Sequence, residues 1–350
     1  MKIAYHIPSL DTIYAGRTIY AGYKHAFEEL GHIFISLTAS DDQKEVFARE
    51  MPDILITSLN PYNLKYLDME VVARQKQLGM KVFVNTPFWN SPLSKMRINE
   101  APSLSKNSEY IRLIRSGEFG DVFYNICEQG DERMEGFEST TGQRHHTILL
   151  AADKTILFPE YSEKFKADIS YIGTYLPEKR QFIREQVFPL RQHYDLRLYG
   201  QDWTLYDRGV GFAQKVGQYF NVPMLRSLQA PKLALEDERK IYASSLISIN
   251  IHEDFQKRFG GDCNERTFQV PLCGGFEITD DVECIRKYFK DGEEIVLASN
   301  KEDWFQKIQY YIKNPEKRLP IIEAGKKKVL EEHTYHNRVK QIIEIYQAYV

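Results

Sequence analysis

No cysteine pair in this sequence is spaced as a metal knuckle or a redox motif. The four cysteines, Cys127, Cys263, Cys273 and Cys284, include no CxxC, which argues against zinc-ribbon and thioredoxin-type chemistry. Free, buried thiols in a reducing compartment are the expectation. Long apolar runs are missing as well. No stretch approaches the roughly 18 apolar residues of a membrane span, and the opening MKIAYHIPSLD is interrupted by His6 before it reaches the apolar core of a signal peptide. A cytoplasmic protein without a membrane span is expected. Neither charge sign dominates: 46 Lys and Arg face 49 Asp and Glu, for a net charge of -3. Nucleic acid is therefore not expected as a partner, nor is anionic lipid in general, although a local basic patch is left open. There is no low-complexity tract and no short-period repeat.

What is present is the composition of a globular protein, 43% hydrophobic and 27% charged over 350 residues. That length suits two domains of roughly 150 to 180 residues each. Short apolar runs alternate with helical or polar stretches. KIAYHI (2–7), HIFISL (32–37), DILITS (53–58), KVFVNT (81–86), DVFYNI (121–126) and HTILLA (146–151) read as strands. Ile19, Tyr23, Ala26, Phe27 and Leu30 mark a helix closed by Gly31. The charged stretch 151–168 breaks the pattern. It restarts with ISYIG (169–173), a helix from about Glu178 to Gln192, then DLRLYG, SLISINI, GFEIT and EIVLA, and it ends in helices. The reading is an α/β protein of two doubly wound domains in tandem. In such sheets ligands settle beyond the carboxyl ends of the strands, which selects the loops to examine.

The stretch NERTFQVPLCGGFEITD (264–280) reads as a two-turn helix stopped by Gly274-Gly275 and followed by a strand. With YFKDGEEIVLASN and EEHTYHNRV it resembles the C-terminal half of GT-B glycosyltransferases, most closely the CgeB-like (spore maturation protein type) branch. Asn264, Arg266, Phe268, Gly274, Thr279, Asp280, Gly292, Glu294, His333, Thr334, Tyr335 and Arg338 carry the match. The resemblance implies a GT-B fold, two Rossmann-like domains facing across a cleft. Residues 1–155 would form the acceptor-side domain, 156–335 the nucleotide-sugar donor domain, and 336–350 a helix crossing back to the first. It implies transfer of a sugar from a nucleotide diphosphate-sugar to a hydroxyl of a glycan, lipid, protein or small molecule. No metal and no cofactor are expected, the nucleotide-sugar being substrate. A GT-B nucleotide-sugar epimerase and an inactive nucleotide-sugar-binding relative are the alternatives. The latter draws on a departure: Gln269 and Gly261 stand where the family carries ribose-binding and partner glutamates.

Candidate donor contacts follow. Gly173-Thr174 before a helix carrying Lys179 and Arg180 suits a diphosphate, although both cations could simply be solvated. Arg266 sits in the first turn of a helix capped by Asn264, with Thr267 and Gln269 on the same helix. A salt bridge to Asp262 or Glu265 is its alternative role. His252 and Gln201 follow strands of the same domain. In the first domain His6 and Asp11 are candidates for proton transfer, with Asp11 also readable as a turn residue. Gly16 and Arg17 are candidates for acceptor contact. Phe88 and Trp89 would form a sugar-stacking platform if exposed, and core if buried.

Overall fold

The computed structural model describes residues 1–10, 15–91, 103–228 and 233–350. The chain divides into two compact units. The first comprises residues 1–12, 23–149 and 338–350; the second comprises 13–22 and 150–337.

The first unit is built on six strands, β1 Lys2–His6, β2 Ile33–Leu37, β3 Ile54–Ser58, β4 Lys81–Asn85, β5 Val122–Asn125 and β6 His145–Thr147. They form one sheet in the order β2-β1-β3-β4-β5-β6, with parallel pairing throughout. The central strands are buried along nearly their whole length, which is why ILI, VFV and VFY are unbroken apolar runs rather than alternating ones. Helices cover the sheet, and the core gathers Leu55, Val82, Val84, Phe123 and Phe137. The expected strand 146–151 is shorter than its apolar run, because pairing with β5 extends only through Asn125 opposite Thr147. The C-terminal segment is tied into this unit: Arg338 Nε donates to the Leu149 carbonyl at 3.1 Å and Gln341 Nε2 to that of Thr147 at 2.8 Å.

The second unit repeats the plan. β7 Ala167–Ile172, β8 Leu196–Tyr199, β9 Ser245–Asn250, β10 Glu277–Asp280 and β11 Val296–Ala298 form a parallel sheet in the order β11-β10-β9-β7-β8. Its core includes Ile169, Ile247, Ile249, Ile278, Trp304 and Ile308. The chain enters the sheet at β7, moves outward to β8, then crosses to β9 on the other side. The gap between β7 and β9 is thus the topological switch point, where parallel strands send their following loops in opposite directions and leave a crevice.

The expected helix 178–192 is not a uniform α-helix. It is a 3-10 turn Pro177–Lys179, an α turn Arg180–Phe182, a π stretch Ile183–Val187 and a 3-10 segment Phe188–Gln192. Pro189, which can donate no backbone hydrogen bond, lies in the last segment and prevents a continuous i→i−4 ladder. Among the described residues, no helix is long and apolar enough to cross a membrane.

Candidate functional site

The carboxyl ends of β7 and β9 hold a compact polar group inside the second unit. Its hub is the carbonyl oxygen of Ile251, one residue past β9. Lys179 Nζ donates to it at 2.9 Å, Arg266 Nη2 at 3.3 Å and Asn264 Nδ2 at 3.5 Å. Arg266 is the first residue of helix Arg266–Leu272. Its backbone N–H is held by Asn264 Oδ1 at 3.1 Å, and its Nε donates to Asn250 Oδ1 at 3.0 Å. Asn250 in turn directs its amide to Glu277 Oε1 at 2.8 Å and to the Thr267 hydroxyl at 3.2 Å. The guanidinium is therefore aimed by a chain of neutral groups.

Carboxylates act on the two cations only from beyond contact distance: Glu253 and Asp280 on Lys179, and Glu265 and Glu277 on Arg266. Among the described residues no carboxylate forms an ion pair with Lys179 or Arg266, so the expected alternative of a bridge to Asp262 or Glu265 is not formed. Lys179 is only 6% exposed. Burial, followed by the nearby Arg266 charge, lowers its pKa from 10.5 to about 7. Two buried or half-buried cations sharing one neutral oxygen is an unfavourable arrangement by itself, and a bound anion would relieve it.

Buried polar atoms without a protein partner surround the same strand ends. Tyr171 Oη, Gln201 Oε1 and Glu277 Oε2 all lie out of solvent with no hydrogen bond among the described residues. The loops after β7 and β8 are locked together by close backbone contact. Gly200 has φ +113°, and a Cβ there would sit 2.3 Å from the Gly173 carbonyl oxygen. Gly173 N–H donates to the Tyr199 carbonyl at 3.0 Å and Tyr175 N–H to that of Gln201 at 3.0 Å. Thr174 follows directly, its carbonyl accepting from Leu176 N–H at 2.8 Å. Arg180 is half-buried, its guanidinium 5.3 Å from the centre of the Tyr175 ring.

His252 is placed differently from the expectation of a ligand contact. It is 0% exposed, with Nε2 and Nδ1 each 3.3 Å from the hydroxyls of Thr267 and Thr279. Its backbone N–H is fixed by Asp280 Oδ2 at 2.6 Å. Burial, then the charges of Arg266 and Lys179, hold its pKa well below 6.5, so it is a neutral ring behind the two cations. Gln269 is buried on the second turn of its helix. That helix ends at Leu272, and Gly274 takes φ +71°.

A second buried polar group joins the start of helix Ala15–Glu29 to the same unit. Glu265 Oε2 accepts from the Thr18 hydroxyl at 2.7 Å and Oε1 from Tyr335 Oη at 2.7 Å. Arg17 donates to the Leu233 carbonyl at 3.3 Å and lies 4.0 Å from Glu238. Burial raises the pKa of Glu265 and of Glu238 from 4.5 to about 7, against the opposing donors and arginines. Arg17, expected on the first-domain side, thus makes these contacts within the second unit, to which residues 13–22 belong. Gly16 lies in the first turn of the same helix.

Three first-unit expectations are corrected or fall outside the described residues. His6 is 2% exposed. Its Nε2 lies 3.2 Å from the Tyr66 carbonyl, which can only accept, so Nε2 carries the proton and Nδ1 faces the Thr57 hydroxyl at 3.0 Å. With its pKa lowered to about 4 by burial, it is a structural ring rather than a catalytic base. Trp89 is 2% exposed and packs edge-on against Phe137 at 5.3 Å. Phe88 is covered by the Arg133 guanidinium at 3.9 Å, so the pair is core and not a sugar platform. Asp11 lies outside the described residues.

Residues 179–344 match the family model described as Glycosyl transferase-like. An alpha-glucosyltransferase solved with UDP superposes at a TM-score of 0.63 with 11% identity, covering 99% of this chain and 100% of that one. The chain has the GT-B fold. A sucrose-phosphate synthase from Thermosynechococcus elongatus superposes at 0.60 with 11% identity, over 99% of this chain and 98% of that one. The catalytic domain of starch synthase IV from Arabidopsis thaliana, bound to ADP and acarbose, gives 0.62 and 10% over 99% and 98%. No curated protein matches in sequence. Within this GT-B chain the family match begins at Lys179 and takes in Asn250, Arg266 and Glu277.

Of the residues expected at the donor site, Asn264, Thr267 and Arg266, with Lys179, meet Asn250 or Ile251 at the end of β9, whereas Gly173 packs against the loop after β8 and Arg180 against the Tyr175 ring. Asn250, Glu277 and Glu265 were not selected. For two of them a signal exists: Asn250 closes and Glu277 opens a strand that is buried along nearly its whole length, and a polar side chain in such a strand must have an assigned partner.

Proposed function

We propose that the protein is a glycosyltransferase that takes a nucleotide diphosphate-sugar at the switch point of its second unit. The observation that carries the reading is the convergence of Lys179 and Arg266 on the Ile251 carbonyl with, among the described residues, no carboxylate in ion-pair contact with either. Lys179 and Arg266 would hold the diphosphate, and Asn264 would keep Arg266 at the head of its helix. In the transfer the bond from the sugar's anomeric carbon to the diphosphate oxygen breaks as an acceptor hydroxyl attacks. The negative charge then grows on the departing diphosphate. Preorganised cations in a site of low dielectric stabilise that charge without having to reorganise. The buried orphan oxygens of Gln201 and Tyr171 supply polar contacts for the remainder of the donor. Gln269 offers a neutral amide where the family carries a glutamate, so it would contact ribose hydroxyls through weaker bonds. The nucleotide-sugar is substrate, and the reading calls for no further cofactor.

The solved relatives bound to UDP or ADP put these two nucleotides first in a test. Thermal shift and nucleotide release are to be followed with UDP-, ADP-, GDP-, dTDP- and CMP-sugars. One nucleotide should stabilise the protein and be released slowly without acceptor. Arg266→Ala should weaken that binding by about tenfold to a hundredfold, the size of a lost charge-assisted contact. If no nucleotide shifts the transition, or if Arg266→Ala binds as tightly as the parent, the assignment is wrong.

A further inference from the structure

The helix Leu205–Tyr219 in the second unit is inside out. The residues it buries are Asp207, Gly211, Gln214 and Gly217, all small or polar. The residues it shows to water include Leu205 at 80%, Tyr206 at 79%, Phe212 at 66% and Tyr219 at 50% exposure. Leu205, Phe212 and Tyr219 recur every seven residues, so they lie along one side of the helix. Phe220 and Met224, 60% and 72% exposed, extend the surface onto the short helix Pro223–Arg226.

This arrangement is enforced by the packing beneath it. Gln214 Nε2 donates to the Arg226 carbonyl at 3.1 Å. Gly217 sits so close to the second helix that a Cβ would lie 2.7 Å from Arg226 N. The polar and glycine face is therefore the only one that can face inward, and the aromatic face is left outward. The N-terminus is fixed by a reciprocal cap between Thr204 and Asp207, so the one acidic side chain of the hairpin is turned into the structure. Contiguous exposed apolar surface of this kind marks an interaction site.

Charge decides the occupant. Between Leu205 and Arg226 the sequence has Arg208, Lys215 and Arg226 against Asp207 alone. That is a local excess of two positive charges in a chain whose net charge is -3. Lys215 is exposed between Phe212 and Tyr219, so pairing with a second copy across this face would bring two lysines into the seam. An exposed lysine among aromatic rings on one helix face, with the half-exposed Arg208 and Arg226 nearby, suits the headgroup region of an anionic bilayer, where rings enter the boundary and cations meet lipid phosphate. We infer that the 205–226 hairpin lies in the plane of an anionic membrane surface and docks the second unit there.

The test is co-sedimentation of the full-length protein with phosphatidylcholine vesicles and with mixed phosphatidylcholine and phosphatidylglycerol vesicles. Binding is expected to the mixed vesicles alone and to be reversed by high salt. Phe212→Ser with Phe220→Ser should abolish it while leaving the thermal transition in place, since both side chains are already exposed. Lys215→Glu should lower the partition coefficient by about fivefold or more. Failure to bind either vesicle overturns the inference, as does equal binding to both or indifference to the double substitution. Light scattering that shows a dimer split by the double substitution would assign the face to a second copy instead.

Discussion

In the proposed site, Lys179 and Arg266 act through the contacts they lack as much as through those they make. Each has a protein acceptor, the same carbonyl oxygen, and among the described residues neither has a carboxylate within ion-pair distance. The depressed pKa of Lys179 has a direct consequence for binding. Its folded value of about 7 lies below 10.5, so the contribution it makes to stability is complete above 10.5 and is lost as the pH falls through about 7. A bound diphosphate favours the protonated amine and raises that value. Nucleotide affinity should therefore hold steady below about pH 7 and decline by up to about tenfold per unit above it, with protons taken up on binding. Calorimetry at several pH values in buffers of different ionisation enthalpy measures both. Lys179→Met should bind more weakly and with a flat profile; a steep decline in that variant would exclude Lys179 as the titrating group. The same scale shows where sequence reading misjudged single residues. His6, Trp89 and His252 are residue types often found at sites, and each proved to be enclosed. Nothing local distinguishes an enclosed histidine from a reactive one, because the difference lies in which atoms from distant segments reach its ring nitrogens.

At the scale of elements, the two contrasting glycines of the β8 region set a clear expectation. Gly200 holds φ +113° with the Gly173 carbonyl where a Cβ would be. Gly200→Ala should destabilise by at least the about 1–3 kcal/mol of a strained backbone, and it should weaken nucleotide binding by displacing the loop after β7. Gly209 lies in the exposed face of helix Leu205–Tyr219, and a Cβ there meets nothing within 4 Å. Gly209→Ala should stabilise by about 0.5–1 kcal/mol through helix propensity. Chemical denaturation of the two variants measures both signs. All the strands but β6 were legible in the sequence to within about two residues, since buried parallel strands are mostly apolar; β6 ends four residues before its apolar run does. The 177–192 segment was legible as helical but not as a succession of 3-10, α and π turns. The exposed aromatic side of helix Leu205–Tyr219 was not legible at all: its periodicity marks an apolar face, and periodicity alone assigns that face to the interior.

For the molecule as a whole, the second unit stores an unusual pH dependence. Burial raises Glu238 and Glu265 to about 7 and Glu277 to about 8. Carboxyls whose folded pKa exceeds the unfolded value stabilise fully below about 4.5, and this contribution is lost as the pH rises through about 7–8. Lys179 acts in the opposite sense between about 7 and 10.5. The unliganded protein should therefore become less stable from about pH 5 to about pH 8, the reverse of the acid lability given by paired surface carboxylates. Glu265→Gln keeps a hydrogen-bonding oxygen for one of Thr18 and Tyr335 while removing the charge, and it should flatten part of that decline in thermal unfolding. An unchanged slope would show that Glu265 is not one of the titrating groups.

The sequence by itself determined the two doubly wound sheets, the strands that compose them and the ends at which ligand-facing loops emerge, because burial of strand and helix faces is written in local periodicity. The tertiary structure alone decided which polar residues meet. Lys179, Ile251 and Arg266 converge because β7 and β9 are neighbours in space, and Thr18 reaches Glu265 across 247 positions of chain. Strand order is a property of how the elements pack, and no spacing along the chain encodes it.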